Sequence, residues 1–372
     1  MKIVMHCVYY PPEVGGLESH VRFLCRALAE RGHRVDVVTS HSKPEVPRYE
    51  VREGVHVWRT WFPGKSTAGW AGHAAGSVRR TLKASLGADV LHAQAFQSVM
   101  PMQLARAFRG VPLVATWHTS HFLRLAQKPG WRTLLGRLLR STDKNLAASR
   151  EIADVAEGLA RGISVEPVTN GVETSLFRPV APSLGPPSAG RRRIVVPRRL
   201  FEKNGVEYLV RALPLIARSV DVEAVIVGDG PERDRLERLA GELGVSDRLR
   251  FLGARAHDEM PGLLSSAELA VFPSLMEATS VAALECMSCE IPVAASRVGG
   301  LPEIVDESVG GLFAPASPED LAQCVSVLLS RSDLPELGAR ARRLVVERWS
   351  NTRLADRHLE IYEELIRIRR SA

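Results

Sequence analysis

Residues 2–40 read KIVMHCVYYPPEVGGLESHVRFLCRALAERGHRVDVVTS. KIVMHCVYY is apolar and rich in β-formers, and PPEVGG is turn chemistry. ESHVRFLCRALAERGH spaces its apolar residues as a helix does, and RVDVVTS returns to the strand pattern. The stretch is a strand, loop, helix, strand unit. A second one begins near residue 193, where RIVVP (193–197), RRLFEKNG (198–205), VEYLVRALPLIARS (206–219) and VEAVIVGDG (222–230) repeat the order. The plan is used twice. Further strand-like runs, each near a helical pattern, are ADVLHAQ (88–94), PLVATWH (112–118), KNLAAS (144–149), RLRFLGA (248–254), LAVFPS (269–274) and IPVAAS (291–296).

These repeats predict an α/β chain of two doubly wound, mostly parallel domains, and 372 residues are enough for two. VEPVTNGVETSLFRPVAPSLGPPSAGRRR (165–193) lacks helical periodicity and holds five of the chain's 23 prolines, so it reads as the joint. The expected domains are 1–178 and 191–345 with a linker at 179–190, and 346–372 forms a long terminal helix. Ligands of such sheets lie outside the carboxyl ends of the strands, so two facing domains would hold a substrate in the cleft between them.

Composition excludes collagen, coiled coil and disordered chains: hydrophobic residues are 45% and charged residues 24%. KIVMHCVYY reads as a first strand, not an export signal. Five cysteines are too few for a secreted disulfide framework, which points to reducing cytoplasm. The lone Cys286-x-x-Cys289 has no second pair, so buried thiols on a helix are the simpler reading and no metal site is expected. Residues 1–170 hold 23 Lys and Arg against 13 Asp and Glu, and the remainder holds 26 against 29. The basic excess of the first half implies an anionic counterpart, although solvated surface charge explains it equally. WRTLLGRLLRS (131–141) spaces Trp131, Leu134, Leu135, Leu138 and Leu139 helically among Arg132, Arg137 and Arg140. An interfacial helix and a helix packed on its sheet both give that pattern.

A dehydrogenase is the reflex reading of two Rossmann-like halves, but its fingerprint fails. PPEVGGLE supplies only Gly15-Gly16, and VGDGPER puts Arg233 where a third glycine should stand. Neither a P-loop nor a D-x-D metal pair occurs. What remains are cations and helix starts suited to an anion. Arg199 and Lys203 leave one strand end as a fork donor and a point charge that would fit a diphosphate. In LAVFPSLMEATSVAALECMSCEIPVAAS (269–296), Glu277 lies in a loop, Thr279 or Ser280 can cap the following helix, and Glu285 sits two turns in. That acid could accept from a ribose hydroxyl.

Over nearly the whole chain these motifs resemble the retaining family-4 glycosyltransferases (glycosyl transferases group 1) of the GT-B architecture. PPEVGGLESHV resembles the N-terminal glycine loop, VTNGVETSLF the entry to the linker, and PRRLFEKNG the Arg and Lys phosphate loop. VGDGPER resembles the second glycine turn, FPSLMEATSVAALE the Glu-x7-Glu motif, and PVAASRVGGLPEIV the strand and turn after it. The resemblance implies metal-independent, front-face transfer of a sugar from a nucleoside diphosphate sugar to an acceptor hydroxyl, with no cofactor beyond that co-substrate. It implies that Gly15 and Gly16 approach the donor phosphate, Arg199 and Lys203 neutralise the leaving diphosphate, Glu277 meets the sugar and Glu285 the ribose. Ala278, Thr279, Ser280 and Val281 line the donor side, and His118 lies beside the donor sugar. By the same pattern the first domain takes the acceptor, here anionic or lipid-linked, and the last helix crosses back onto that domain. Peripheral contact with the inner membrane face follows from the charge, and no nucleic acid is expected. The alternative in another class is a nucleotide-sugar epimerase or hydrolase, which needs no acceptor. The chain departs from the family at Ala278-Thr279-Ser280-Val281, where a glycine and an aromatic are common, and at Pro197-Arg198, where a glycine is common.

Overall fold

The computed structural model describes residues 1–13, 15–277 and 280–371. In the first unit the strands are β1 (Lys2–His6), β2 (Arg34–Ser40), β3 (Tyr49–Arg52), β4 (Val55–Thr60), β5 (Val90–Gln94), β6 (Leu113–Trp117), β7 (Lys144–Ala147) and β8 (Val165–Pro167). Its helices are α1 (Gly16–Glu30), α2 (Thr67–Ala84), α3 (Val99–Arg109), α4 (Thr119–Ala126), α5 (Pro129–Arg140) and α6 (Arg150–Leu159). The sheet order is β3-β4-β2-β1-β5-β6-β7-β8, parallel except for β3, which pairs antiparallel with β4 through a tight turn.

The second unit has strands β9 (Arg192–Val196), β10 (Val222–Val227), β11 (Leu249–Gly253), β12 (Leu269–Phe272), β13 (Val293–Ser296) and β14 (Gly310–Phe313). Its helices are α7 (Val206–Ile216), α8 (Arg233–Glu242), α9 (Met260–Leu264), α10 (Val281–Ser288), α11 (Leu301–Ile304), α12 (Pro318–Leu329) and α13 (Leu334–Arg348). All six strands run parallel in the order β11-β10-β9-β12-β13-β14. The last helix, α14 (Asn351–Ser371), belongs to the first unit.

Both faces of the second sheet are buried, which is why its strands read as continuous apolar runs. Along β9, Ile194 and Val196 join a core with Leu209 and Leu213 of α7 and Val325 of α12. Val195 points the other way, into a core with Leu284 of α10 and Val345 of α13. Cys286 and Cys289 lie in that second core, and burial pushes both thiols up, Cys289 to about 12. The pair is therefore packing material.

The sequence places the joint in the proline-rich 179–190, but the contacts divide the chain between Gly171 and Val172 and again between Ser350 and Asn351. The reason is hydrogen bonding. Val180 N donates to Ser265 Oγ at 3.3 Å, Ser183 N to Gly262 O at 3.0 Å and Leu184 N to Ser266 Oγ at 3.0 Å, which fastens the stretch to the second unit. Likewise the return to the first unit starts at α14 and not at 346, because α13 continues to Arg348. On α14, Ile361 and Tyr362 enter a core with Ile3, Met5, Leu24 and Leu28, and Asp356 pairs with Arg31 at 2.9 Å.

On α5, Leu135 and Leu139 are fully buried, so its apolar spacing comes from packing. No described helix is long and apolar enough to cross a membrane.

Candidate active site

The order of the second sheet reverses between β9 and β12, and the loops leaving these two strands carry a polar cluster centred on Arg198. After β9 the chain runs through Pro197 into Arg198, Arg199 and Leu200. Arg198 turns inward: its Nη2 donates to Asn204 Oδ1 at 2.9 Å and to Ser274 Oγ at 2.8 Å, and it forms an ion pair with Glu277. Its Nη1 reaches Ser280 Oγ at 3.5 Å, and the guanidinium lies 5.6 Å from the Phe272 ring centre. Arg198 and Glu277 side chains are 10% and 16% exposed, so the pair depends on these neutral neighbours to offset its desolvation. The Arg198 Nε is buried with no partner among the described residues.

Three loops close around this cation. Asn204 Nδ2 donates to Arg199 O at 2.6 Å, which folds the loop back on itself. The Lys203 carbonyl accepts from Leu275 N and Met276 N at 2.9 and 3.3 Å, joining the β9 loop to the β12 loop. The glycine turn after β10 lies against the same backbone. Gly228 has φ +152°, and a Cβ there would meet Arg199 N at 3.2 Å, so no other residue fits without displacing Arg198 and Arg199.

Ser280 is the N-cap of α10, with its Oγ accepting from Ala283 N at 3.3 Å. Val281 is the first residue of that helix. On α10, Glu285 is 11% exposed and its Oε1 is 2.9 Å from Nε2 of His257, whose ring sits edge-on to Phe177. His257 thereby orients the carboxylate. Ala278 and Thr279, expected on the donor side, lie outside the described residues.

The first sheet reverses between β1 and β5. Gly15 and Gly16 open α1 after β1. A Cβ on Gly16 would meet nothing within 4 Å among the described residues, so none of their contacts requires glycine there. His118 follows β6 and is 3% exposed, with its Nε2 at 2.8 Å from Gln94 Oε1 at the end of β5. Burial lowers its pKa to about 3, so the ring is neutral near pH 7. His20 of α1 has its ring 5.2 Å from that of His118, and neither of its nitrogens has a partner among the described residues.

The structure thus brings Glu277 and Ser280 together on Arg198, leaves the Lys203 side chain exposed on the loop whose carbonyl joins the two segments, sets Glu285 against His257, and places Gly15, Gly16 and His118 at the corresponding end of the other sheet. Arg199, expected to hold the diphosphate, is exposed and lies over the Phe201 ring at 5.7 Å. Sequence reasoning missed Arg198, because two arginines in tandem carry no signal as to which turns inward. It also missed Ser274, Gln94 and His257, isolated polar residues whose partners are far away in sequence, and Asn204, whose partners Arg198 and Arg199 lie on the same loop. Among the described residues no three His, Cys, Asp or Glu side chains are grouped to hold a metal ion.

Comparison with known proteins gives the family. Residues 14–176 match the family described as Glycosyltransferase Family 4, and residues 191–331 that described as Glycosyl transferases group 1. An uncharacterized glycosyltransferase of Methanocaldococcus jannaschii is 30% identical over 98% of both chains. A glycogen synthase of Mycobacterium tuberculosis is 30% identical over 92% of this chain and 89% of its own. The solved sucrose-phosphate synthase of Thermosynechococcus elongatus superimposes with a TM-score of 0.85 over 99% of both chains at 24% identity, which establishes the shared fold. With two Rossmann-like parallel sheets and these matches, the chain belongs to the family-4 glycosyltransferases of the GT-B architecture, and it is a transferase.

Proposed function

We propose that the enzyme moves a sugar from a nucleoside diphosphate sugar to an acceptor hydroxyl, with retention of configuration and no metal cofactor. The observation that carries this reading is Arg198, held inward at the switch point of the second sheet with one buried N–H unspent, next to the start of α10. Cleaving the bond from the anomeric carbon to phosphate builds negative charge on the leaving oxygen and oxocarbenium character on the sugar. Arg198, Lys203 and the free N–H groups of α10 supply positive potential for the first. Glu277 orients Arg198 and meets the sugar hydroxyls, and Glu285, steadied by His257, accepts from the ribose. The open space over Gly16 leaves room for a phosphate to approach the backbone. No residue is assigned as a nucleophile; the departing phosphate takes the acceptor's proton on the front face. In support, one relative, from Mycolicibacterium hassiacum, is named an α-(1→4)-mannosyltransferase, and a structural neighbour, HepE of Anabaena, was solved with UDP.

A panel of UDP-, GDP- and ADP-sugars tests this by thermal shift, since a ligand of the folded state raises Tm by mass action. One class should stabilise the wild type and not Arg198→Met, and NMR of the product should show the donor's anomeric configuration. Stabilisation by none, or an inverted product, sinks the proposal.

The acceptor is anionic or lipid-linked, and the protein is a cytoplasmic one that contacts the inner membrane face. Supporting this, residues 63–142 hold eleven Lys and Arg and one acid, Asp89. Met100, Leu104 and Phe108 of α3 are exposed one turn apart. Beside them Arg79, Lys83, Arg109 and Leu86 line a groove of about 480 Å³. This α2–α3 surface, not α5, is the proposed contact. Cosedimentation with anionic vesicles should fall when Phe108→Ser and Leu104→Ser are combined; wild-type protein that stays in the supernatant at low salt would refute it.

A further inference from the structure

Behind His118 runs a chain of buried neutral groups that decides which of its nitrogens carries the proton. Gln94, at the end of β5, has its Oε1 at 2.8 Å from His118 Nε2. Its amide nitrogen lies 3.6 Å from Met5 Sδ and 3.4 Å from His92 Nε2. His92 Nε2 is also 2.7 Å from Thr116 Oγ1, and His92 Nδ1 is 2.6 Å from the Tyr362 hydroxyl of α14.

Two proton arrangements satisfy these distances, one the reverse of the other, and the thioether separates them. Sulfur has no proton to give, so the amide NH2 belongs on the Met5 side, and an amide oxygen there would face sulfur lone pairs. Gln94 Oε1 must then face His118, and two acceptors cannot share a contact of 2.8 Å, so His118 Nε2 bears the hydrogen. On the other side Gln94 donates to His92 Nε2, which leaves His92 protonated at Nδ1 and donating to Tyr362. Burial lowers the pKa of both rings, to about 3 for His118, so each carries a single proton near neutral pH. His118 is the N-cap of α4 yet makes no side-chain bond to that helix, so its Nδ1 is not spent on capping.

We propose that Gln94 is a positioning residue that locks His118 as the Nε2–H tautomer, so that its Nδ1 presents a bare lone pair that accepts a hydroxyl of the sugar, while Tyr362 anchors the far end of the chain. The second half of this rests on the reading of His118 as the residue beside the donor sugar. In that role His118 accepts a hydrogen bond and does not act as a general acid.

Long-range nitrogen–proton correlation spectra of ring-15N-histidine protein at neutral pH test it, with His118→Asn assigning the signals. Wild-type His118 should show a protonated-type Nε2 and a bare-type Nδ1; a proton on Nδ1 overturns the lock, whatever the variants do. Gln94→Met should average the two nitrogens and lower kcat/KM about tenfold, whereas Gln94→Glu, which puts an anion against His118 Nε2, should drive that ring toward protonation on both nitrogens. A Gln94→Met spectrum identical to wild type removes Gln94 from the role. Titration with the stabilising nucleotide sugar then moves the Nδ1 signal. If the tautomer is as stated but no sugar nucleotide moves Nδ1, the lock stands and the sugar-facing reading of His118 falls.

Discussion

The two sheets keep their polar groups in opposite states. At the switch point of the second, Arg198 and Glu277 are charged, paired and surrounded by hydroxyls and an amide. At the first, His118, Gln94, His92 and Tyr362 form a neutral chain. Ten of the eleven histidines lie in the first unit, and burial depresses eight of them: His6, His20, His33, His73, His92, His118, His121 and His358. A leaving diphosphate needs fixed charge opposite it; a hydroxyl to be aligned needs direction without charge. On the function proposed above, the ionisation of each half would suit it to one of these tasks.

The largest expected effect separates the tandem arginines. Arg198→Met should lower kcat/KM about a thousandfold, while Arg199→Met should stay within about threefold. Denaturant melts should show Arg198→Met destabilised by about 3 kcal/mol, because Glu277 is left buried without its cation. Equal kinetic losses for the two variants would return the diphosphate role to Arg199.

Acid should next loosen the first unit before the second. A histidine whose folded pKa is depressed contributes stability that is fully present above its unfolded value of 6.5 and is lost as pH falls from there toward the folded value. At pH about 5, His118 and His358, lowered to about 3 and about 4, each withdraw about 2 kcal/mol. Hydrogen exchange at pH 7.5 and 5, corrected for intrinsic rates, should show the loosening in β1, β5, β6 and α14. Earlier opening of β9–β13 contradicts the contrast.

Glycines sharpen it further. Gly16→Ala should raise the donor KM about tenfold with Tm unchanged, since none of the described residues occupies that space. Gly228→Ala should instead cost roughly 2 kcal/mol, through positive φ and the backbone at Arg199. Smallest of all are the caps. Ser280→Ala and Ser149→Ala each remove a hydroxyl that accepts from a helix N–H, of α10 and α6, and each should cost about 1 kcal/mol by thermal melt. Only the first should also slow turnover, because Ser280 touches Arg198.

What the sequence reveals follows from these same contacts. Strands buried on both faces, such as β9 and β12, are apolar runs and can be read directly. The β3–β4 hairpin escapes, because β3 is half-exposed and its turn uses Glu53 and Gly54, both at positive φ, without an Asn-Gly or Asp-Gly signature. β14 escapes because it begins with two glycines. At the site, the spacing of Glu277 and Glu285 and the loop around Lys203 are local and legible. The inward turn of Arg198, the His257 contact with Glu285 and the Gln94 contact with His118 depend on residues 24 to 79 positions apart, which no local pattern encodes.

The return of α14 to the first unit has a consequence for biosynthesis. The second unit is one uninterrupted segment, Val172–Ser350, and can finish folding as soon as it has cleared the ribosome. The first unit, though begun earlier, lacks Ile361 and Tyr362 until α14 has been made, so Ile3, Met5 and Leu28 wait with part of their apolar surface wet. The half begun first is therefore completed after its neighbour, and a stop codon ahead of α14 would strip β1 and α1 of a packing partner at the far end of the polypeptide.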